Sequence, residues 1–181
     1  MYFMGPIVIT GDDNAIIDGQ QRLTSLTLLL MYLRNRIISL DLDDGADIAA
    51  LIRSKAYGKV SFTIDVTERS AVMTSLFNDK PFDTEGAGES IKTLYDRYMD
   101  IKNGFPDEIT NDILLHFCDW VMNKIQFIEI KASTEQDAYK VFITMNDRGL
   151  RLTPTEILKS YLLSEVEDDT VREQLNNAWK D

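Results

Sequence analysis

The chain has 181 residues, of which 44% are apolar and 27% are charged, and its formal net charge at pH 7 is −11. This length suits one domain with a sizeable core, or one compact domain and part of another, and the composition is that of a globular protein. One cysteine and one histidine exclude a disulfide scaffold and the usual zinc sites. A Ser-His-Asp or Cys-His enzyme would have to use His116, which lies in an apolar helical stretch and is predicted to be a core or boundary residue.

Hydropathy and charge limit the partners that we expect for the chain. The longest apolar stretch, Leu23–Leu33, is shorter than the roughly 20 residues that a membrane span needs, and no signal peptide is recognised. With the single cysteine, these features predict a cytoplasmic protein without a membrane partner. The acidic average argues against a surface that binds nucleic acid everywhere, although residues 18–40 and 144–161 each carry a small excess of basic residues. Such runs are usually solvated faces.

The N-terminal part is predicted to begin with a β-hairpin. Pro6–Thr10 and Ala15–Asp18 have the composition of short strands, and Gly11–Asn14 between them is a turn cluster. Because two strands alone form a marginal sheet, we expect either later strands or residues before Met1 to complete it. Leu23–Ile38 then predicts a helix with apolar residues on most of its circumference, which is typical of a buried helix.

The rest of the chain predicts an α+β fold in which helices dominate. The predicted elements are, in chain order, an acidic loop at Asp41–Asp47, a strand at Lys59–Ile64, a helix from Thr67 to before Asn78, helices at Glu89–Lys102 and Asp107–Asn123, a strand at Ile125–Ile130, a helix from a capping box at Ser133–Gln136 to about Met145, a helix that starts at Thr153, and a last helix at Asp169–Trp179.

The first candidate site is Asp18-Gly19-Gln20-Gln21-Arg22, where the second strand ends and the buried helix begins. The first turn of a helix has free backbone N–H groups and the positive end of the helix dipole. Gly19 lets an anion approach that backbone, and Arg22 can hold a phosphate through two parallel hydrogen bonds. The segment is therefore a candidate phosphate-binding corner. The alternative is structural, with Asp18 as a helix cap, Gly19 as a turn residue and solvated polar side chains after it.

A second polar cluster, Asn146-Asp147-Arg148, stands between two predicted helices. Capping explains much of its surroundings, since Gly149 suits the end of one helix and Thr153–Glu156 suits the start of the next. Turn formation explains an Asn or Asp here, but less readily Arg148. A helix-turn-helix DNA reader is the alternative, although its turn is normally shorter than the segment from Asn146 to Leu152.

The two clusters together carry a family resemblance. Ile16–Leu26 resembles the hallmark of the GmrSD-type restriction endonuclease N-terminal domain family, and Phe142–Thr153 resembles its second motif, in the same order and with a similar helical separation. Around the first motif that family is similar to ParB and sulfiredoxin, in which a Gly-x-x-Arg turn binds nucleotide phosphates. The resemblance implies an NTP-binding, NTP-hydrolysing regulatory module of a bacterial restriction system, an antiviral defence that cuts modified phage DNA.

The resemblance also implies roles for individual residues. It makes Asp18, Gln21 and Arg22 catalytic and Asp18 a ligand of Mg²⁺, and it places NTP contacts at Gly19, Gln20, Arg22, Asn146, Arg148 and Gly149. The expected cofactor is NTP with Mg²⁺. The implied fold is α+β, with a partial ParB/sulfiredoxin-like strand-turn-helix part at residues 1–66 packed on a mainly helical part at residues 67–181 that carries the second motif.

Two departures from the family pattern predict that the chain is a fragment. The Tyr-Gln-Arg motif that precedes the hairpin is missing from Met1-Tyr2-Phe3, and the HNH nuclease domain of full-length members is missing as well. The expected partners are a nucleotide, DNA through the full-length protein, the nuclease domain outside this chain and a second copy of the chain. Activity of the fragment itself stays open, and the alternative function is a non-catalytic DNA-binding or protein-interaction module.

Overall fold

The computed structural model describes residues 1–146, apart from 12–13, 44, 57–58 and 65–66, together with residues 162, 166 and 171. The helix predicted to start at Thr153 and the last predicted helix, Asp169–Trp179, therefore lie outside the described part of the chain. The regular elements are β1 Tyr2–Thr10, β2 Ala15–Asp18, α1 Gln20–Ser39, α2 Ala46–Ile52, β3 Arg53–Ala56, β4 Lys59–Phe62, a 3-10 turn Thr67–Arg69, α3 Ser70–Phe77, α4 Glu89–Asn103, α5 Asn111–Lys124, β5 Ile125–Ala132 and α6 Glu135–Asn146. These elements confirm the predicted α+β class.

Packing divides the chain into two units, each of which joins segments that are distant in sequence. The helical unit contains Met1–Tyr2 and Gln21–Ile125, and the sheet unit contains Phe3–Gln20 and Gln126–Asp181. The predicted division at residue 66 stays a prediction.

The sheet unit contains a three-stranded sheet in the order β2-β1-β5. β1 and β2 form the predicted antiparallel hairpin, in which Ile9 pairs with Ile16 and Thr10 with Ala15, and the register shifts between Val8 and Ile9. β5 supplies the third strand, so a later segment completes the sheet, which was the first of the two predicted alternatives. β1 begins at Tyr2, before the predicted Pro6, and its register with β2 covers only Val8–Thr10.

The core of the helical unit is built around α1. This helix is buried on most sides, as predicted, and it begins at Gln20, three residues earlier than the sequence pattern indicated. Its buried apolar residues pack in one cluster with residues of α3, α4 and α5. The α1 residues of that cluster are Leu28, Leu30, Met31, Leu33 and Ile37.

Residues 46–56 depart from the prediction, since α2 and β3 were not expected and the predicted loop Asp41–Asp47 ends when α2 begins at Ala46. Gly45 turns the chain with a φ of +67° and donates its N–H to Asp43 Oδ1 at 2.8 Å. Ile48 and Ile52, one helical turn apart, then reach the core. A pair of apolar residues four positions apart is too short a pattern to reveal this helix beside an acidic run.

The predicted starts of α5 and α6 were displaced as well. α5 begins at Asn111, four residues after the predicted Asp107, because Ile109 donates its N–H to Pro106 O in a separate turn and Thr110 takes the N-cap position. α6 begins after Thr134 rather than after the predicted cap Ser133, since the Asp137 N–H donates to Thr134 Oγ1 at 3.1 Å. The Ala138 N–H donates to Thr134 O at 3.0 Å, which makes this the first turn of α6.

Candidate functional site

The chain turns from β2 into α1 through a single residue, Gly19. Gly19 is buried and has a φ of +100°, a conformation that residues with a side chain rarely adopt. A Cβ atom at this position would lie 3.1 Å from Ile7 Cγ1 and 3.4 Å from the Ile7 Cα. The tight turn and the contact with β1 therefore both require glycine, whether or not a ligand approaches the backbone.

The polar side chains around Gly19 differ in exposure and in role. Asp18 and Arg22 are half-buried and each makes a further interaction within the protein, whereas Gln20 and Gln21 are exposed. The Gln20 Nε2 group donates a hydrogen bond of 2.8 Å to Ile16 O, four residues earlier on β2. The Gln20 amide nitrogen thus stabilises the turn, a role that neither the ligand-binding interpretation nor the solvated alternative predicted.

The first turn of α1 has the electrostatic character that an anion requires. α1 is 20 residues long, and its first turn contains Arg22 but no acidic residue. The N–H groups of that turn have no partner inside the helix, and the aligned peptide dipoles place partial positive charge there. The chemistry of this corner therefore suits a phosphate or another oxyanion.

The second motif begins at the end of α6, which packs against β2, the strand that leads to Asp18. In that contact Ala138 and Val141 of α6 belong to one apolar cluster with Val8 and Ile17. The structure thus joins the two elements that carry the two motifs. Asn146 is the last residue of α6, and Arg148 and Gly149 lie outside the described residues.

The single histidine and the single cysteine lie on α5, with opposite exposure. His116 is exposed, so the prediction of a core or boundary histidine was wrong. The reason is rotational, since α5 buries the face that contains Leu114, Cys118 and Val121, and His116 lies off that face. Cys118 is buried, and burial, with a smaller contribution from the Asp43 carboxylate, raises the pKa of its thiol to about 11.

Within the described part of the chain, no group of three or more His, Cys, Asp and Glu side chains is placed to hold a metal ion. None of its helices combines the length and the apolar character needed to cross a bilayer.

Comparison with known families matches residues 1–163 to the model described as GmrSD restriction endonuclease, N-terminal domain. The match spans both motifs and most of the 181-residue chain. The chain belongs to this family. No curated protein matches the chain. Membership identifies the chain as a GmrSD-type module of a restriction endonuclease and confirms the resemblance predicted from the two motifs.

The GmrSD-type corner also depends on Ile7, a residue that the sequence analysis did not single out. The Ile7 side chain on β1 is the group that a larger residue at position 19 would meet. The strand pattern of Pro6–Thr10 was visible in the sequence, but the approach of β1 to the turn follows from pairing of β1 with β2. The roles predicted for Asp18, Gln21 and Arg22 stay predictions.

Proposed function

We propose that this GmrSD-type domain binds an NTP with Mg²⁺ and hydrolyses it, and thereby regulates a restriction endonuclease that targets modified phage DNA. The observation that carries the proposal is the corner at Asp18–Arg22, where a strand, one buried glycine and the N-terminus of a 20-residue helix follow in sequence. Phosphate groups are commonly held at such helix starts.

The residues of the corner have different proposed roles. The first N–H groups of α1 and the Arg22 guanidinium bind phosphate oxygens, the guanidinium through charge-assisted hydrogen bonds. Asp18 supplies the carboxylate oxygen that suits Mg²⁺, or orients the attacking water together with Gln21. Mg²⁺, when bound, neutralises charge on the phosphates.

The second motif is proposed to complete the nucleotide site. Asn146 terminates α6, which packs against the strand that ends at Asp18. Arg148 and Gly149 follow within three residues of it in the sequence. A second arginine near the phosphates would add another charge-assisted hydrogen bond. DNA contact through the full-length protein and dimerisation through a second copy belong to the same proposal.

The proposal is tested by thermal and chemical denaturation of the chain with ATP or GTP and Mg²⁺ at fixed salt. A nucleotide at 100 times its dissociation constant stabilises the folded state by about 2.7 kcal/mol. We expect Arg22→Ala to abolish this gain and to lower the stability of the nucleotide-free protein by no more than about 1 kcal/mol, the usual loss of one partly buried polar interaction. Arg97→Ala is the matched control, because Arg97 is an exposed arginine on α4 that pairs with Asp100 at 3.1 Å.

Other outcomes of the same experiment oppose the proposal. A large loss of stability in nucleotide-free Arg22→Ala, with normal nucleotide binding, would assign Arg22 a structural role. Stabilisation by duplex DNA alone, weakening steeply with salt, would favour the alternative of a non-catalytic DNA-binding module. Hydrolysis is measured separately as phosphate release, and nucleotide binding without any phosphate release by the full-length protein would restrict the function to binding.

A further inference from the structure

The helical unit contains a cavity of about 400 Å³ that lies away from the two motifs in the sequence. α1 contributes Tyr32, Asn35 and Arg36 to its lining, α4 contributes Tyr98 and Lys102, and Asp79 follows α3. A volume of this size falls within the range of small-molecule sites. Asn35 and Tyr98 are only 8% and 3% exposed, so these two polar side chains of the lining are largely shielded from bulk water.

The hydrogen bonds around Asn35 determine what the Tyr98 hydroxyl can offer to a ligand. Asn35 Nδ2 donates to Leu76 O at 2.7 Å, which fixes the orientation of the amide because a carbonyl oxygen only accepts. The same Nδ2 group donates to the Tyr98 hydroxyl at 3.2 Å, so the Tyr98 oxygen is an acceptor there. The hydroxyl hydrogen of Tyr98 is then left to donate elsewhere.

The Tyr32 hydroxyl is also an acceptor, because a guanidinium such as that of Arg36 can only donate hydrogen bonds. Arg36 Nη1 donates to the Tyr32 hydroxyl at 3.2 Å, so the Tyr32 hydrogen is also left to donate. The Tyr98 hydroxyl is protonated at neutral pH, because its ordinary pKa is already 10.0 and burial raises that pKa further. The cavity lining thus contains two phenolic hydroxyl groups whose oxygens already accept a hydrogen bond and whose hydrogens can be donated to a ligand.

The charges of the lining favour an anion as well. The Arg36 guanidinium lies 4.7 Å from the Phe105 ring centroid and donates to Ile109 O at 3.4 Å, so it is held at the cavity. Lys102 Nζ lies 3.7 Å from Asp79 Oδ1 in an exposed pair. The lining therefore contains two positively charged side chains and one carboxylate, although the whole chain carries a net charge of −11.

We infer that this cavity binds a small organic oxyanion, a phosphate ester or a carboxylate, whose charged group accepts hydrogen bonds from Tyr32, Tyr98, Arg36 and Lys102. Phosphate and carboxylate oxygens share the acceptor chemistry that the lining requires, and the organic part occupies the remaining volume. The inference does not depend on the nucleotide site at Asp18–Arg22.

The test is titration of the full chain with phenyl phosphate and with benzoate by calorimetry at fixed salt, with phenol as the neutral comparison. We expect at least one of the two anions to bind and phenol to bind much more weakly. Lys102→Gln should weaken anion binding about tenfold because it removes a positive charge, and Tyr98→Phe about fivefold because it removes one hydrogen-bond donor. Asp79→Asn should strengthen binding about threefold because it removes the opposing charge.

The variants are chosen so that folding and binding can be separated. Lys102 is exposed, and in Tyr98→Phe the Asn35 amide keeps its hydrogen bond to Leu76 O, so both variants should melt as cooperatively as the parent. Arg97→Ala changes the net charge equally, away from the cavity lining, and should bind normally.

Four results would overturn the inference. They are the absence of binding by either anion, binding of phenol as strong as that of the anions, equal weakening by Arg97→Ala and Lys102→Gln, and loss of anion binding in Arg22→Ala with retention in Lys102→Gln. The last result would assign the anion to the corner at Asp18–Arg22 and would therefore support the proposed function while rejecting this one.

Discussion

At the scale of single residues, the corner between β2 and α1 depends on Gly19, which has no side chain. Gly19 combines a positive φ with a close approach to Ile7, whereas Gly86 has a φ of +74° and would meet nothing within 4 Å if it carried a Cβ. A substitution at Gly86 therefore costs only backbone strain, whereas a substitution at Gly19 costs backbone strain and a steric clash. This comparison addresses the structural role of Gly19 without involving a ligand.

We predict that Gly19→Ala lowers the free energy of unfolding by more than Gly86→Ala does. The backbone strain alone costs of order 1–3 kcal/mol in either variant, and the 3.1 Å contact with Ile7 Cγ1 adds to it only at position 19. Urea denaturation measures the difference. Gly88→Ala is the control, because Gly88 has a φ of −64° and an open surrounding, and equal losses at positions 19 and 86 would reject the role of Ile7.

At the scale of an element, α6 shows how the exact helix start depends on packing. Ser133 and Thr134 are both good N-caps, and each is followed three residues later by a residue that can complete a capping box. The structure uses Thr134, whose hydroxyl also donates to Asp137 Oδ2 at 2.9 Å. With this start, Ala138 is fully buried in the cluster that contains Val8. Tertiary contact thus selected between two local solutions of similar quality.

We predict that Thr134→Ala costs about 1 kcal/mol of stability, the usual loss for an N-cap. Ser133→Ala should change stability by no more than about 0.5 kcal/mol, since Ser133 is exposed and is not the cap. Chemical denaturation monitored by circular dichroism measures both. A larger loss in Ser133→Ala than in Thr134→Ala would show that the cap predicted from the sequence operates in solution.

At the scale of the whole molecule, stability at alkaline pH depends on two titratable side chains in the core of the helical unit. Cys118 and Tyr98 are both buried in that core, and burial raises the pKa of both. For the thiol the pKa rises from an ordinary value of 9.0 to about 11. The folded protein therefore retains a proton that the unfolded chain releases in this interval.

We predict that stability falls as pH rises from about 9 to about 11, because the unfolded state binds fewer protons than the folded state there. The contribution of the thiol is fully present below pH 9 and is lost as pH passes through the folded pKa, and Tyr98 adds a loss of the same sign. Urea midpoints measured across this range test the slope. Cys118→Ala and Tyr98→Phe should each flatten it, and an unchanged slope in both would contradict the prediction.

Local composition and periodicity correctly predicted the elements whose residues carry a clear strand propensity or apolar period. The apolar surface of α1 extends over many positions, and four of the six residues Ile125–Ile130 are strong β-formers, so short-range signals were sufficient. α2 offers only the single turn from Ile48 to Ile52 as an apolar period, and β3, Arg53–Ala56, contains no strong β-former, so neither was distinguished from a loop. For the candidate site, the residues of the corner were predicted, whereas the contact between Gly19 and Ile7 and the brace from Gln20 to Ile16 O were not.

The sequence by itself determined the family, through two motifs separated by most of the chain, and it determined the α+β class through the periods of its apolar residues. Tertiary structure alone decided that β5 completes the sheet beside β1 and that α6 packs against β2. It also decided that polar residues of α1 and α4 meet at one cavity. The physical reason is range, since propensity and capping act within a few residues, whereas strand pairing and core packing join segments more than a hundred residues apart.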